Sequence, residues 1–290
     1  MGTQELDRQE CLSYQNMESP KTNKELAFLH ELFVATDWGE RFAELIDEHV
    51  NLPKAGRALY VAAGTGGHAI ALQERAGNAL QFLCLDENDE SLELARVKAN
   101  ALKLITDFRR EKPDQLPLPD NQFDLVLADA SLLHSGRIPR MIAELARLAA
   151  PRATVALTLP TFSSFGEFFS IYWEALHNYG LLDHEADVEN LITTLPSVSL
   201  LEELAGEAGL REVASWTTIE EFDYESSEQF LSSPLISDFL MPLWLETLPA
   251  ASRAEVVTEI ARLINEERHE AEFALTVKAT LIMGQKDLSQ

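Results

Sequence analysis

Residues 58–69, with the sequence ALYVAAGTGGHA, constrain the fold of this chain more than any other stretch. An apolar run, residues 58–63, leads into a glycine-rich turn at 64–67, and a helical pattern follows up to Gly77. A buried strand, a tight turn and a helix in this order form the first half of a βαβ unit. Glycine suits the turn because it adopts positive φ and lets a ligand approach the backbone. The free N–H groups of the following helix then point at that ligand.

A second apolar run, residues 82–85, ends at Asp86, about twenty residues beyond Gly66. An acid at this place can accept hydrogen bonds from ribose hydroxyls. The two features together predict a site for a nucleoside-bearing cofactor. The turn alone does not identify the cofactor, because residues 64–69 also satisfy the dinucleotide fingerprint G-x-G-x-x-A. A glycine turn that only joins a strand to a helix is the alternative interpretation.

The composition is that of a globular protein and limits the partners. The chain has 290 residues, of which 46% are hydrophobic and 24% charged, which suffices for a full core. A formal net charge of −25 repels phosphate backbones, so no nucleic-acid partner is expected. Cys11 and Cys84 make no disulfide framework, which suits a reducing compartment. The polar N-terminus does not resemble a signal peptide, and no apolar run could span a bilayer. We therefore expect a cytoplasmic protein with no membrane partner.

Strand and helix patterns alternate through the first half of the chain and then give way to helices. This order predicts a parallel α/β sheet with right-handed crossovers. Ser199 and Glu202 form a capping box that predicts the start of one of the later helices. We predict a polar arm at 1–24 and a single domain at 25–290, with helical additions at 160–198 and 222–268 that form a lid or cap.

Residues 116–127, LPLPDNQFDLVL, remove much of the remaining ambiguity. Together with the glycine turn, Asp86 and the stretch ELARLAAP at 144–151, this segment resembles the class I S-adenosylmethionine-dependent methyltransferases of the small-molecule type. The resemblance is best over residues 58–159. It implies a Rossmann-like, doubly wound sheet of seven strands, with the last strand antiparallel between the fifth and sixth and a helical insertion after the fifth. It also implies S-adenosylmethionine as the cofactor and a small-molecule acceptor as the partner.

The resemblance further implies which residues bind the cofactor. Gly64 and Gly66 match the last two glycines of the family's acid-x-G-x-G-x-G motif, and Asp86 matches the acid that binds the ribose. Two positions depart from the pattern, because Tyr60 replaces the first acid and Ala62 replaces the first glycine. A phenol can accept a hydrogen bond from the methionine ammonium but brings no charge. The remaining cofactor-binding candidates are Ala63, Glu87, Asp114, Gln115 and Ala128.

Asp129 and His134 are the candidate catalytic residues. The resemblance places Asp129 at the end of the fourth strand, where cofactor and substrate meet, and His134 where many small-molecule members carry a histidine. The alternative role of Asp129 is to satisfy backbone amides in a loop, and that of His134 is to be the partner of a backbone carbonyl. Phe165, Phe169 and Tyr172 share a helix face and are expected to wall an apolar acceptor pocket, with a core or homodimer face as the alternative. No histidine or cysteine spacing fits a metal site, so no metal is expected.

The leading hypothesis is an enzyme that moves a methyl group from S-adenosylmethionine to a small molecule. The second is a methyltransferase-like protein that binds a ligand or partner without catalysis, which Tyr60 and Ala62 favour. The third is a nicotinamide-dependent oxidoreductase. Residues 116–127 and the lack of a recognisable second mononucleotide-binding half argue against the third hypothesis.

Overall fold

The computed structural model describes residues 21–181, 185–266 and 273–288. Most of the predicted 1–24 arm therefore lies outside the described residues. The first half of the chain contains α1 (Asn23–Leu29), a π-helical stretch (His30–Gly39), α2 (Glu40–His49), β1 (Gly56–Val61), α3 (Gly67–Ala76), β2 (Leu80–Asp86), α4 (Asp89–Ala101), β3 (Thr106–Arg110), β4 (Phe123–Asp129), α5 (Ile138–Leu148) and β5 (Ala149–Pro160). The second half contains α6 (Gly166–Asn178), α7 (Glu185–Thr194), α8 (Val198–Glu207), β6 (Leu210–Tyr224), α9 (Ser227–Ser232), a second π-helical stretch (Leu235–Leu240), α10 (Met241–Trp244), α11 (Ala250–Glu266) and β7 (Phe273–Lys286).

The seven strands form one sheet in the order β3-β2-β1-β4-β5-β7-β6. The pairs β1–β2, β1–β4, β2–β3 and β4–β5 are parallel, whereas β7 runs antiparallel to β5. The predicted seven-stranded, doubly wound sheet with its last strand antiparallel between the fifth and sixth is confirmed. Because β1 lies between β2 and β4, the strand order reverses at this point, and a crevice is expected at the carboxyl ends of β1 and β4.

The central strands form because their sequences are apolar on both faces, as parallel strands covered by helices require. Leu59 and Val61 of β1 and Val126 of β4 are fully buried in the main core cluster. Helix α5 covers this face with the amphipathic spacing of Met141 and Leu145, both fully buried. Each such side chain contributes about 1.5–3 kcal/mol on burial, which fixes the strand ends that carry the site.

The chain divides into two compact units. Within the described residues, one contains 23–164, 194–220 and 277–288, and the other contains 21–22, 165–181, 185–193, 221–266 and 273–276. In the second unit, helix α11 packs on α6. Its core is an aromatic cluster, in which Phe168 stacks on Trp244 with ring centroids 4.1 Å apart. The two predicted helical additions thus come together in this second unit, and their role as a lid stays a prediction.

One local prediction was wrong. Ser197, not Ser199, caps α8, because its side chain accepts a hydrogen bond from the Leu200 amide at 3.2 Å. The predicted helical addition at 222–268 contains α9, a π-helical stretch, α10 and α11. Near the start of the described residues, ten π-helical residues, His30–Gly39, lie between α1 and α2. π-Helical turns often accompany functional sites, and two residues of this stretch lie at the candidate site described below.

Candidate active site

The glycine turn after β1 has the backbone that the sequence predicts. Gly64 and Gly66 have φ of +53° and +75°. A Cβ on Gly66 would lie 2.7 Å from the Cβ of Ala95, and a Cβ on Gly64 would lie 2.9 Å from the His30 ring. Ala62, at the position of the missing first glycine, also adopts a positive φ of +55°. The turn therefore keeps the glycine-type conformation at Ala62, although an L-residue is disfavoured there by about 1–2 kcal/mol.

Asp86 ends β2 and holds the glycine turn in place. Its Oδ2 accepts a hydrogen bond from the Gly64 amide, and its Oδ1 accepts one from the Asn88 amide, both at 2.8 Å. Burial raises the pKa of Asp86, while these two amides oppose the rise. Each carboxylate oxygen keeps a second lone pair. Asp86 therefore both shapes the turn and retains acceptors for the hydroxyls of a ribose.

Glu87 and Asp114 are brought together by a residue that the sequence analysis missed. Arg137 donates from Nη1 and Nη2 to the two carboxylate oxygens of Glu87, each at 2.8 Å, and Nη2 also contacts Asp114. The Arg137 guanidinium lowers the pKa of Asp114 through this hydrogen bond. Gln115 does not join the group, because it is exposed and its amide donates to the Lys112 carbonyl at 3.1 Å. Arg137 thus links the loops that follow β2, β3 and β4.

Asp129 lies at the end of β4, directly after the buried Ala128. Its Oδ1 accepts a hydrogen bond from the Ser131 amide at 2.8 Å. Burial raises the pKa of Asp129, and the hydrogen bonds from Ser131 oppose the rise. The Ser131 hydroxyl in turn accepts a hydrogen bond from Trp38 Nε1 at 3.0 Å. The candidate acid is therefore half-buried and connected through Ser131 to the N-terminal helical stretch.

His134 lies further out and caps a short turn. It is exposed, and its Nδ1 accepts a hydrogen bond from the Gly136 amide at 3.1 Å. This contact occupies one of the two ring nitrogens with a backbone amide, whereas the alternative role expected a backbone carbonyl as the partner. A catalytic role for His134 stays a prediction with no added support from its geometry.

Tyr60, in place of the family acid, belongs to a hydrogen-bonded chain. Its hydroxyl lies 2.9 Å from Nδ1 of His68, and Nε2 of His68 lies 3.1 Å from Oδ1 of Asp47. Arg75 also donates to Asp47 Oδ1, at 2.7 Å. Ala63, the remaining residue of the turn, donates its amide to the Leu85 carbonyl at 2.9 Å and so ties the turn to β2. The tyrosine at position 60 therefore connects the end of β1 to two further polar side chains, those of His68 and Asp47.

The N-terminal helical stretch supplies several site residues that the sequence analysis missed. His30 lies against Gly64, Trp38 contacts Ser131, and Asp47 contacts His68. Lys98 of α4 holds the same stretch through Glu31, with Nζ 2.7 and 2.8 Å from the two carboxylate oxygens. None of these pairs has a local sequence signal, since the partners lie far apart along the chain. The apolar spacing of the helix could indicate only an inward face.

The charge of the site suits a cationic ligand. Asp86 and Asp129 are both half-buried carboxylates with raised pKa, and the charge of Asp129 contributes to the rise at Asp86. Mutual repulsion of this kind is relieved when a positive charge binds between the groups. S-Adenosylmethionine fits this set, because it has ribose hydroxyls for Asp86 and supplies a positively charged sulfonium with an electrophilic methyl group. Within the described part of the chain, no cluster of three or more metal-binding side chains occurs.

The phenylalanine and tyrosine candidates lie in the second unit. Phe165, Phe169 and Tyr172 are at most 3% exposed. Phe165 and Phe169 contact Trp244 edge-on, and Tyr172 stacks on Phe168. Phe169 also lines a groove of about 660 Å³ between α6 and α7, with Ser170, Trp173, Ala186, Val188, Glu189 and Ile192. The three rings therefore form part of the core of their unit.

Comparison with known proteins finds similarity over the part of the chain that contains the glycine turn and the ends of β2 and β4. Residues 59–157 match the family described as Methyltransferase domain. The demethylmenaquinone methyltransferase of Deinococcus radiodurans is 32% identical over 146 residues, which cover 49% of this chain and 59% of that protein. The chain thus spans less than two thirds of the length of this curated relative.

Solved structures share the fold at low sequence identity. The YcgJ protein from Bacillus subtilis superposes with a TM-score of 0.57, covering 86% of this chain and 99% of that one at 15% identity. Haemonchus contortus phosphoethanolamine N-methyltransferase 2, solved in complex with S-adenosylmethionine, has a TM-score of 0.51, covering 86% of this chain and 52% of that one at 14% identity. These likenesses show the fold.

The fold is that of the Rossmann-like class I methyltransferases, a class whose cofactor is S-adenosylmethionine. The resemblance inferred from the sequence is supported over residues 59–157, which match the methyltransferase domain family. No helix in the described residues combines the length and apolar character needed to cross a membrane.

Proposed function

We propose that this chain transfers a methyl group from S-adenosylmethionine to a small-molecule acceptor. The observation that carries the proposal is the arrangement of Asp86, which fixes the glycine turn through Gly64 and keeps free lone pairs at the switch point of the sheet. In this proposal Asp86 accepts the ribose hydroxyls, and the Gly64 backbone lies beside the methionine part. Glu87 and Asp114, held by Arg137, border the adenine.

The protein's contribution to such a reaction is mainly placement and exclusion of water. A displacement at an electrophilic methyl group gains several kcal/mol when the two reactants are held in line. Tyr60 and Ala128 are buried at the ends of β1 and β4, and Trp38 covers Ser131 nearby. Asp129, anionic once a cation is bound, stabilises the positive charge of the cofactor in the proposed complex.

The proposed acceptor is an aromatic or quinone-like small molecule. The relative from Deinococcus radiodurans is named for demethylmenaquinone, a quinone. An acidic protein with a net charge of −25 favours neutral or cationic acceptors over anionic ones. We assign the helical additions to a lid for this acceptor, and the support for this rests on Phe169, which lines the groove in its unit. Phe165 and Tyr172 then act by packing Phe169 and its neighbours.

Cofactor titration of an Asp86 variant tests the proposal. Isothermal titration should show binding of S-adenosylmethionine to the wild type and binding weakened by about 5- to 150-fold for Asp86→Ala, the equivalent of about 1–3 kcal/mol. Asp223→Ala is the matched control, since Asp223 is exposed on β6 in the other unit. Equal affinities for wild type and Asp86→Ala would refute the assignment of the ribose site.

Methyl transfer itself needs a second measurement. Incubation with S-adenosylmethionine and 1,4-naphthohydroquinone should release S-adenosylhomocysteine and a methylated ring, both detected by mass spectrometry. The alternative function is ligand binding without catalysis, which the replacement of the family acid by Tyr60 and of a glycine by Ala62 favours. Tight cofactor binding with no product across quinol, phenol and amine acceptors would support that alternative.

The lid assignment is tested with Phe169→Ala. Cofactor affinity should be unchanged, whereas the response to the naphthohydroquinone acceptor should fall. The matched control is Phe168→Ala, which opens the same aromatic cluster at a ring that does not line the groove. Sedimentation of the same samples examines the homodimer alternative. A dimer that dissociates on Phe169→Ala would contradict the lid.

A further inference from the structure

The hydrogen-bonded chain Tyr60–His68–Asp47 has the composition of a proton relay. The Tyr60 hydroxyl is 2.9 Å from His68 Nδ1, and His68 Nε2 is 3.1 Å from Asp47 Oδ1. A hydroxyl, an imidazole and a carboxylate in this order are the parts with which enzymes remove a proton from a weakly acidic group. The three residues come from β1, α3 and α2. The chain therefore depends on the tertiary fold.

The ionised state of Asp47 determines which group donates in each hydrogen bond of the Tyr60–His68–Asp47 chain. The hydrogen bond from His68 lowers the pKa of Asp47, so the carboxylate is ionised and can only accept at neutral pH. His68 then donates from Nε2, and in its neutral form its Nδ1 is left as an acceptor. Burial raises the pKa of Tyr60, and the charges of Asp129, Cys84 and Asp47 add to the rise. Tyr60 therefore keeps its proton and donates it to His68.

Exposure increases along the chain from the strand end to the surface. Tyr60 is 3% exposed, whereas the side chains of His68 and Asp47 are 15% and 39% exposed. A proton received by Tyr60 can thus move outward to a group in contact with water. The inner end lies at the switch point of the sheet, where ligands of this type of fold bind, and it senses the charge of Asp129.

We propose that Tyr60 is a catalytic residue that removes the proton from an acidic hydroxyl of the methyl acceptor, with His68 and Asp47 as its positioning residues. The acceptor O–H bond breaks and its electron pair stays on the acceptor. The proton moves to the Tyr60 oxygen while the Tyr60 proton moves to His68 Nδ1. The resulting imidazolium is stabilised by the Asp47 carboxylate. The acceptor class is therefore a phenol, enol or hydroquinone, whose anion is the stronger nucleophile.

This inference deepens the proposed function and rests on it. A purely structural hydrogen-bond chain is the competing explanation, because it would also fasten α2 and α3 to the end of β1. The proton relay and the purely structural chain differ in what they require of His68. A structural chain needs only hydrogen bonds, whereas a relay needs a central group that can take up a proton. His68→Asn separates them, since the amide oxygen can still accept from Tyr60 but the amide does not become a cation at neutral pH.

Ionisation of a bound hydroxyaryl probe tests the relay without turnover. The protein is saturated with sinefungin, a cationic cofactor analogue, and titrated with 1-naphthol, whose anion absorbs at longer wavelength than the neutral form. We expect the wild type to raise the anion-to-phenol ratio of bound naphthol at least tenfold over solution. Tyr60→Phe and His68→Asn should both lose this gain. Tyr179→Phe is the matched control, because Tyr179 is about half exposed and does not belong to the hydrogen-bonded chain Tyr60–His68–Asp47.

Two further measurements separate the outcomes. Nitrogen-15 NMR of the imidazoles should show His68 neutral with its proton on Nε2, and a proton on Nδ1 in the neutral ring would overturn the relay. Calorimetric binding of sinefungin to each variant reports on the cofactor site. No binding to the wild type would refute the proposed function and the relay with it. Normal sinefungin binding with naphthol unbound, or ionised equally by Tyr60→Phe, would overturn the relay alone.

Discussion

The substitution Ala62→Gly should stabilise the protein, although it removes a methyl group from a well-ordered turn. Ala62 has a φ of +55°, where an L-residue is disfavoured by about 1–2 kcal/mol. Glycine adopts this conformation freely but loses about 0.5–1 kcal/mol more backbone entropy on folding. The difference predicts that the free energy of unfolding rises by about 0.5–1 kcal/mol. Urea denaturation followed by circular dichroism has the necessary precision.

A control residue separates backbone strain from any effect on the cofactor. Lys103 is exposed, follows α4 and has nearly the same φ of +57°. Lys103→Gly should therefore give a similar gain in stability and leave the affinity for S-adenosylmethionine unchanged. Ala62→Gly should give the gain and also tighten cofactor binding, because the backbone of the turn becomes more accessible. A loss of stability in Ala62→Gly, with the expected gain in Lys103→Gly, would show that the Ala62 methyl makes a packing contribution larger than its strain.

Three further predictions follow from contacts at the site. Gly66→Ala should destabilise the fold by about 2–4 kcal/mol in urea titration, because φ is +75° and the new Cβ would lie 2.7 Å from that of Ala95. Gly67→Ala is the control and should be nearly neutral, because a Cβ there would make only ordinary contacts. Burial lowers the pKa of His30 from 6.5 to about 4, with the charge of Lys98 adding to the effect and that of Glu31 opposing it. As the pH falls, the unfolded chain therefore takes up a proton on His30 before the folded chain does. The free energy of unfolding should drop by about 2 kcal/mol between pH 7 and pH 5 from this residue alone. Urea titrations at the two pH values should show this drop in the wild type and not in His30→Gln. Arg137→Gln should weaken cofactor binding about tenfold in calorimetry, because the guanidinium orders two partly exposed carboxylates. The free energy of unfolding should change by only about 1 kcal/mol. An unchanged cofactor affinity would show that Arg137 is not part of the site.

The sheet and the cofactor turn could be predicted from the sequence because their signals are local. The apolar strands, the glycines at 64 and 66 and the acid at 86 each occupy a few consecutive residues, and period and turn chemistry are sufficient to interpret them. The family resemblance then supplied the strand order. Element boundaries were less accurate. Ser197 and Ser199 both have the residue type of a cap, and only the backbone shows which hydroxyl reaches an amide.

The residues that complete the site could not be predicted, because they act across the chain. His68 follows the glycine turn directly, yet its role depends on Asp47, which lies on a helix before β1. Arg137 has the appearance of a surface arginine in sequence, and its partners, Glu87 and Asp114, are brought near by two other strands. For the aromatic residues of α6, the local pattern could be recognised but their role could not. Their helical spacing is clear, but spacing alone does not distinguish a pocket wall from a core.

The two departures from the family motif have different physical consequences. At Ala62 the backbone keeps the glycine-type conformation, so the shape of the turn is retained at a cost in strain. At Tyr60 the charge is lost from the strand end, and a negative charge lies two hydrogen bonds further out, on Asp47. Close to the turn, Asp86 and Asp129 still provide half-buried carboxylates. A cation at this place therefore keeps electrostatic partners, while the phenol brings an exchangeable proton that a carboxylate at position 60 would lack at neutral pH. The replacement thus changes the site from one that only holds charge to one that can also move a proton.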